Sequence, residues 1–385
     1  METLTKGYDE STEIRESYEI LPLQGVWTWL TGKEILNRDQ LWRSSSAEMV
    51  AWSLVWVAVG VLLTVLAVYY SENIVVSVTA YVIGVIFSAS GARYVVATII
   101  HHGVHGHLFR NKLVNKVLCE ILSTVFIVQP YEPYRRFHVY EHHGKDFSTF
   151  QDKDLAAIYK LGFTPGKSKK ALYRNLLLTL INPSFHLSYL WGRLRSNYVG
   201  VALYRRIMSL VWMGFLVGVG MKYGALFFSL IIAVPFVIVY QMASLLHLLT
   251  EHVWLLRRSG ETVRDSHVKN CLARFCGSRC PADFSLRNSG RWLKWGIAHL
   301  FFHLPCRMLV VQGSLVCHDW HHRFGSAREW YAYAQLREKD ARKMALRGTY
   351  DYVDIWGLHN CLDYVFTMIS NADPVDIHNL EYRLN

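Results

Sequence analysis

The sequence predicts an all-α membrane protein, with four transmembrane helices in two hairpins and a cytoplasmic helical cap holding a histidine-rich di-metal centre. Three observations predict it. Apolar residues make up 52% of the 385-residue chain and charged residues only 18%, with 13 Trp, 22 Tyr and 18 Phe. That balance favours lipid over water as the solvent. Four apolar runs are long enough to cross a bilayer, which takes roughly 20 residues. Most of the 18 histidines fall in three short clusters, and each cluster has two histidines three or four residues apart. On a helix that spacing puts their rings on one face.

In chain order, residues 1–46 are polar with scattered aromatics and read as a cytoplasmic N-terminal arm. The opening METLTKGYDESTEIRES is mixed in charge and gives no reason to expect a signal or transit peptide. The catalytic-domain candidate, 47–325, contains the apolar runs at 50–70, 74–100, 207–221 (helped by apolar residues before it) and 225–249. The links Ser71-Glu72-Asn73 and Lys222-Tyr223-Gly224 are very short, so each pair of runs makes a tight hairpin. Residues 113–128 carry Lys116 and Glu120 and end at Pro130, and 296–315 contain Pro305 and Arg307. Both stretches read as interfacial, not spanning. A charged, helix-prone segment from 329 to 347 lies in the C-terminal part, 326–385, which is expected to cover the cytoplasmic face.

Charge sets the orientation. The two tight links hold a single Lys, whereas 110–174 and 257–294 are dense in Lys and Arg. The positive-inside rule then places both termini, the middle segment and the C-terminal third in the cytoplasm. All three histidine clusters fall on that side. The net charge of +11 is explained by cytoplasmic loops facing anionic lipid, and no nucleic-acid partner is expected. The seven cysteines lack regular pairing across the chain, which argues against a secreted disulfide framework.

The clusters are His101-His102-Gly-Val-His105-Gly-His107, His138-Val-Tyr-Glu-His142-His143 and His318-Asp-Trp-His321-His322. One histidine on an apolar face is usually a satisfied core residue, but three clusters at helical spacing on one membrane side read as a metal site. Neutral imidazoles suit Fe(II), Zn or Cu. The histidines outnumber the ligands of one ion, so two ions are expected.

The order H-x-x-x-H, then H-x-x-x-H-H about thirty residues later, then H-x-x-H-H after the fourth run resembles the integral-membrane fatty acid desaturase and hydroxylase superfamily. HGHLFRNKLVN and PYRRFHVYEHHGKDFSTFQDKD strengthen the likeness, which covers most of residues 50–325. It implies two iron ions, O2 as co-substrate and nine ligands: His101, His105, His138, His142, His143, His318, His321, His322 and a ninth just past the fourth run. His252 is the choice for the ninth, with His247 as the competitor. Glu141, Asp154, Glu251 and Asp319 are the candidate carboxylates that orient these rings by accepting the second N–H.

His102 stands where many members have Asp, and His107 is extra; each could be a ligand, a hydrogen-bond donor or an ordinary polar residue. His267, Cys271, Cys276 and Cys280 could form a Cys3His zinc site, although reduced cysteines in a compact loop are the simpler reading. His299 and His303 flank Phe301-Phe302 and read as packing. There is no G-x-G-x-x-G before a helix, no P-loop, no C-x-x-C-H and no His-Pro-Gly-Gly. No bound organic cofactor is therefore expected, and electrons would come from a ferredoxin, rubredoxin or free cytochrome b5.

The resemblance implies a multi-pass enzyme of a bacterial inner membrane or the ER that desaturates a fatty acyl chain on an unspecified carrier. Hydroxylation, acetylene formation and oxidative decarboxylation to a terminal alkene on the same centre are alternatives. A histidine-rich metal transporter or sensor is the alternative from another class, but transport calls for ionisable residues near the middle of the spans. The four runs have almost none.

Overall fold

A computed structural model describes residues 2–35 and 44–376. The expectations for residue 1, for 36–43 of the N-terminal arm and for 377–385 of the C-terminal segment lie outside the described residues. The chain is mostly helical, as expected, and its one sheet among the described residues is a parallel pair, Ala273–Phe275 with Asp354–Trp356. Two compact units form: Ser45–Tyr140 with Leu177–Leu246, and Met1–Ser44 with Glu141–Leu176 and His247–Asn385.

The first unit carries the apolar helices. Among the described residues, three helices are long and apolar enough to cross a membrane: Ser46–Tyr69, Ile74–Val104 and Leu203–Glu251. Ser45 and Glu48 close a capping box at the start of the first helix, and Asn73 accepts from Val75 N and Val76 N to start the second. These caps satisfy helix-end donors that lie just outside the apolar stretches. The first two helices approach closely through small residues. A Cβ on Gly60 would meet Ser88 N at 2.3 Å, and one on Gly91 would meet Val57 N at 2.7 Å. Small residues that admit backbone contact are what packs helices where water supplies no driving force. Leu62, Val75, Val82, Leu210, Val211 and Phe215 are exposed outward, which suits a lipid solvent.

The third helix replaces the two separate runs expected at 207–221 and 225–249. Its 49 residues would measure about 74 Å if straight, more than twice the ~30 Å hydrocarbon core. It is interrupted at Gly224, with φ 89° and ψ 168°, inside the expected Lys222-Tyr223-Gly224 link. Glycine alone accepts that conformation cheaply. Lys112–Val125 has 14 residues, about 21 Å, too short to span. Arg205 anchors it through Glu120 at 2.8 Å and Ser123 at 2.7 Å, and also holds Asn197 at 2.7 Å.

The second unit gathers the rest. Helix Tyr333–Leu346, the sheet, the described N-terminal residues and the third histidine cluster share one buried ionic core. Arg337 donates to Asp319 at 2.7 Å and to Asp354 at 2.5 Å. Lys33 pairs with Glu338 at 2.7 Å and lies 3.5 Å from Asp354, while Tyr8 Oη donates to Glu338 at 2.9 Å. Burial would push the Asp354 carboxyl up, but Arg337 and Lys33 hold it well below the usual range. Leu286–Leu309 and Gly313–Arg323 meet at 100°. Arg307 braces this bend by donating to the carbonyls of Trp29, Val311 and Gly313. All seven cysteines are unpaired and buried.

Candidate metal centre

In the first unit the end of helix Ile74–Val104 supplies His101, with His105 one residue past that end. Gly106, at φ 78°, turns the chain immediately afterwards. A Cβ at Gly103 would strike Cys119 Sγ at 2.2 Å, so glycine there lets the helix end lie against Lys112–Val125. His138 stands on Arg136–Lys145, a helix with wide i→i+5 turns, a local form that often marks functional positions. Ring centroids are 4.2 Å apart for His101 and His138, 5.5 Å for His101 and His105, and 5.2 Å for His105 and His138. Their ligand atoms lie within 4.8 Å of one another. His102 is fully buried beside them, 5.1 Å from His101, and stacks at 6.4 Å on His107. Neither belongs to a ligand group among the described residues.

The second unit holds a group of four, His142, His252, His318 and His322, all buried, with ligand atoms within 4.8 Å of one another. His318 Nε2 lies 3.2 Å from His252 Nε2 and 3.1 Å from His322 Nε2. A ring nitrogen carries one proton or one lone pair, so His318 Nε2 cannot make a linear hydrogen bond to both neighbours. A cation shared by the three nitrogens would resolve the conflict. Two imidazole nitrogens 2.1 Å from one ion at about 100° lie ~3.2 Å apart, which matches these separations. The donor set fits a borderline transition metal. His143 and His321 pair in the same unit, with centroids 4.5 Å apart, and His143 stacks on His322 at 3.9 Å.

The local fold fixes these rings through their other nitrogens. His142 Nδ1 donates to Asp152, 3.0 Å from Oδ2. Asp152 is also the cap of helix Lys153–Lys160, accepting from Asp154 N at 3.0 Å. Burial alone would lower the His142 pKa, but the Asp152 carboxylate, helped by Asp154 and Glu251, raises it to about 9. His252 leaves the end of helix Leu203–Glu251 and bridges to Cys271, whose Sγ lies 3.4 Å from His252 Nδ1. Burial keeps the His252 ring neutral by pushing its pKa well below the usual value. Arg274 donates to His247 O, Thr250 Oγ1 and Leu315 O, and so ties that helix end to the stretch before His318. His321 Nδ1 lies 3.3 Å from Tyr333 Oη, whose proton goes to Ala327 O at 3.2 Å. Tyr333 therefore accepts from His321, which directs the His321 Nε2 lone pair away from it.

The four carboxylates named from sequence occupy different places. Glu251 Oε2 lies 3.1 Å from His247 Nε2 and 3.6 Å from His318 Nε2. Asp154 is 3.9 Å from His142 Nδ1, farther than Asp152. Glu141 pairs with Lys153 at 3.1 Å, and Asp319 engages Arg337. Asp152 and Cys271 were missed as partners of the rings. The signal for Asp152 was its place directly before a helix-prone stretch in QDKD.

His247, the competitor for the ninth ligand, uses both ring nitrogens elsewhere: Nδ1 donates to Val310 O at 2.8 Å and Nε2 faces Glu251. His267, Cys271, Cys276 and Cys280 form no ligand group among the described residues. His299 is bonded by Nδ1 to Trp295 O and by Nε2 to Tyr18 Oη, both at 2.8 Å.

A family model described as Fatty acid desaturase matches residues 76–353, a span that includes every histidine of both groups. No curated protein matches the chain.

Proposed function

Because the chain belongs to the fatty acid desaturase family, we propose that it is a membrane di-iron oxidase acting on a fatty acyl chain. The observation that carries this reading is the packing of His142, His252, His318 and His322, whose converging nitrogens call for a cation within the family-matched region. In this reading those four hold one iron. His101, His105 and His138 are proposed as further iron ligands, and the family resemblance implies the same role for His143 and His321. Two irons supply the redox capacity to activate O2 at an unactivated C–H bond. The balance is R–CH2–CH2–R′ + O2 + 2e⁻ + 2H⁺ → R–CH=CH–R′ + 2H2O. Asp152, Tyr333 and Cys271 keep the rings aimed by holding their outer nitrogens. Burial of the four-histidine group excludes water from the oxidising centre.

The helix Leu203–Glu251 is proposed to cross the membrane twice, turning at Gly224, which gives two hairpins. Both termini and the histidine-bearing cap then face the cytoplasm of a bacterial inner membrane or of an ER-bearing cell. The electrons are proposed to come from a separate ferredoxin, rubredoxin or cytochrome b5.

Lipid and metabolite profiling of a host expressing the wild-type chain, or its His143→Ala or His321→Ala variant, tests the proposal. A new double bond is expected only with the wild type. A hydroxyl, an acetylene or a terminal alkene would keep the centre and change the reaction. Retained oxidation in either variant would sink the assignment.

A further inference from the structure

The second unit has an opening that no part of the proposed chemistry uses. It is a cavity of about 690 Å³ with His322, one of the four clustered histidines, and His267 among its lining residues. Both histidines are buried, with ring centroids 4.9 Å apart. Its rim carries Arg264, Lys343 and Arg347, all exposed. None of these three forms an ion pair among the described residues.

The acidic residues of the lining are already engaged. Asp351 pairs with Arg323, whose guanidinium lies 3.9 Å over the Tyr352 ring, and Asp340 accepts from Tyr352 Oη at 2.6 Å. Lys339 lies four residues before Lys343, as Lys343 lies four before Arg347, and is also exposed. The positive field therefore extends beyond the rim along one helix face. Phe324, 41% exposed, adds an aromatic at the edge.

We propose that this basic opening is the docking surface for an acidic one-electron carrier protein. The inference rests on the oxidase reading above. Reducing O2 to two waters takes four electrons. The substrate's two C–H bonds give two, and two successive carriers, each oxidised by one electron, give the others, with two protons from solvent. The chain has no dinucleotide, flavin or haem fingerprint to supply them itself. A carrier seated here would face an opening whose lining includes His322 of the histidine cluster. Arg264 stands on helix Val263–Asn270 and Lys343 and Arg347 at the end of helix Tyr333–Leu346, all three exposed at the opening, which suits a convex acidic patch better than a small anion.

The test uses iron-loaded full-length protein in lipid nanodiscs. One arm supplies a [2Fe–2S] ferredoxin with its reductase, one supplies soluble cytochrome b5 with its reductase, and one reduces the protein with dithionite, removes the excess and pulses O2. In the triple variant Arg264→Glu, Lys343→Glu, Arg347→Glu, the KM for the working carrier should rise about tenfold or more and lose its salt dependence. Iron content, acyl-substrate KM and the chemically reduced single-turnover yield should not change. An unchanged carrier KM overturns the proposal. So does a raised acyl-substrate KM, which would give the opening to an anionic head group. Failure of both carriers with a wild-type chain that turns over once after chemical reduction also overturns it. No product even from the chemically reduced wild type would instead overturn the oxidase reading.

Discussion

The second unit buries two polar clusters that differ in what completes them. In the ionic core, every carboxylate faces a cation of the chain: Asp319 and Asp354 face Arg337, and Glu338 faces Lys33. In the histidine cluster, His318 Nε2 faces two other ring nitrogens at 3.1–3.2 Å and no linear hydrogen-bonding pattern satisfies all three. One cluster is closed by the chain's own charges, and the other has the geometry of a group that could hold a metal ion. Burial by itself therefore does not mark a site. The marker is a set of buried ring nitrogens whose separations are those of ligands that could share one ion.

Substitutions should separate the two clusters cleanly. The largest effect is expected for His318→Ala, which should reduce oxidation below detection and strip iron. The metal-free variant should melt within a few degrees of the metal-free wild type, because His318 Nε2 can hydrogen-bond only one of its two ring-nitrogen neighbours at a time. Parallel assays of product, iron and thermal melting check this, and a large loss of metal-free stability would erase the contrast. Arg337→Met should do the reverse to stability. It leaves Asp319 without its cation and Asp354 with Lys33 alone, and removing one partner of a buried pair costs about 3–5 kcal/mol. The loss should appear equally in metal-free and iron-loaded protein when unfolding is followed in detergent.

Smaller changes sharpen the contrast. Asp152→Asn keeps an oxygen acceptor for His142 and a competent helix cap, so the fold should hold. Loss of the charge behind His142 should weaken iron binding by roughly 10–100-fold, measured by competition with a chelator. Unchanged affinity would mean that Asp152 serves only the helix. Tyr333→Phe should have the least effect, about 1 kcal/mol from its bonds to His321 and Ala327, with iron retained.

Much of this was legible in the chain before any coordinates. The helical runs follow from apolar length, and the break at Gly224 falls in the short link between two of them. The histidines reveal themselves by spacing. His252 over His247 could not be decided that way, because it depends on where the helix ends: His247, inside it, spends both nitrogens on Val310 and Glu251. That Asp152, which the sequence reading does not name, lies nearer His142 than Asp154 has a related reason. Residues two apart at a helix start point in different directions, and the capping residue is the one turned towards His142. Cys271 on His252 and Arg337 on Asp319 are contacts across 19 and 18 residues, set by a β-bridge and an ionic core that local patterns do not encode. The sheet strands, three residues each, are too short to leave a period.

Iron analysis of purified protein tests most directly whether the converging imidazoles hold metal. The wild type should carry about two irons per chain, and folded His318→Ala should lose at least one. A folded wild-type chain that takes up no iron, or a His318→Ala chain that keeps both, would contradict it.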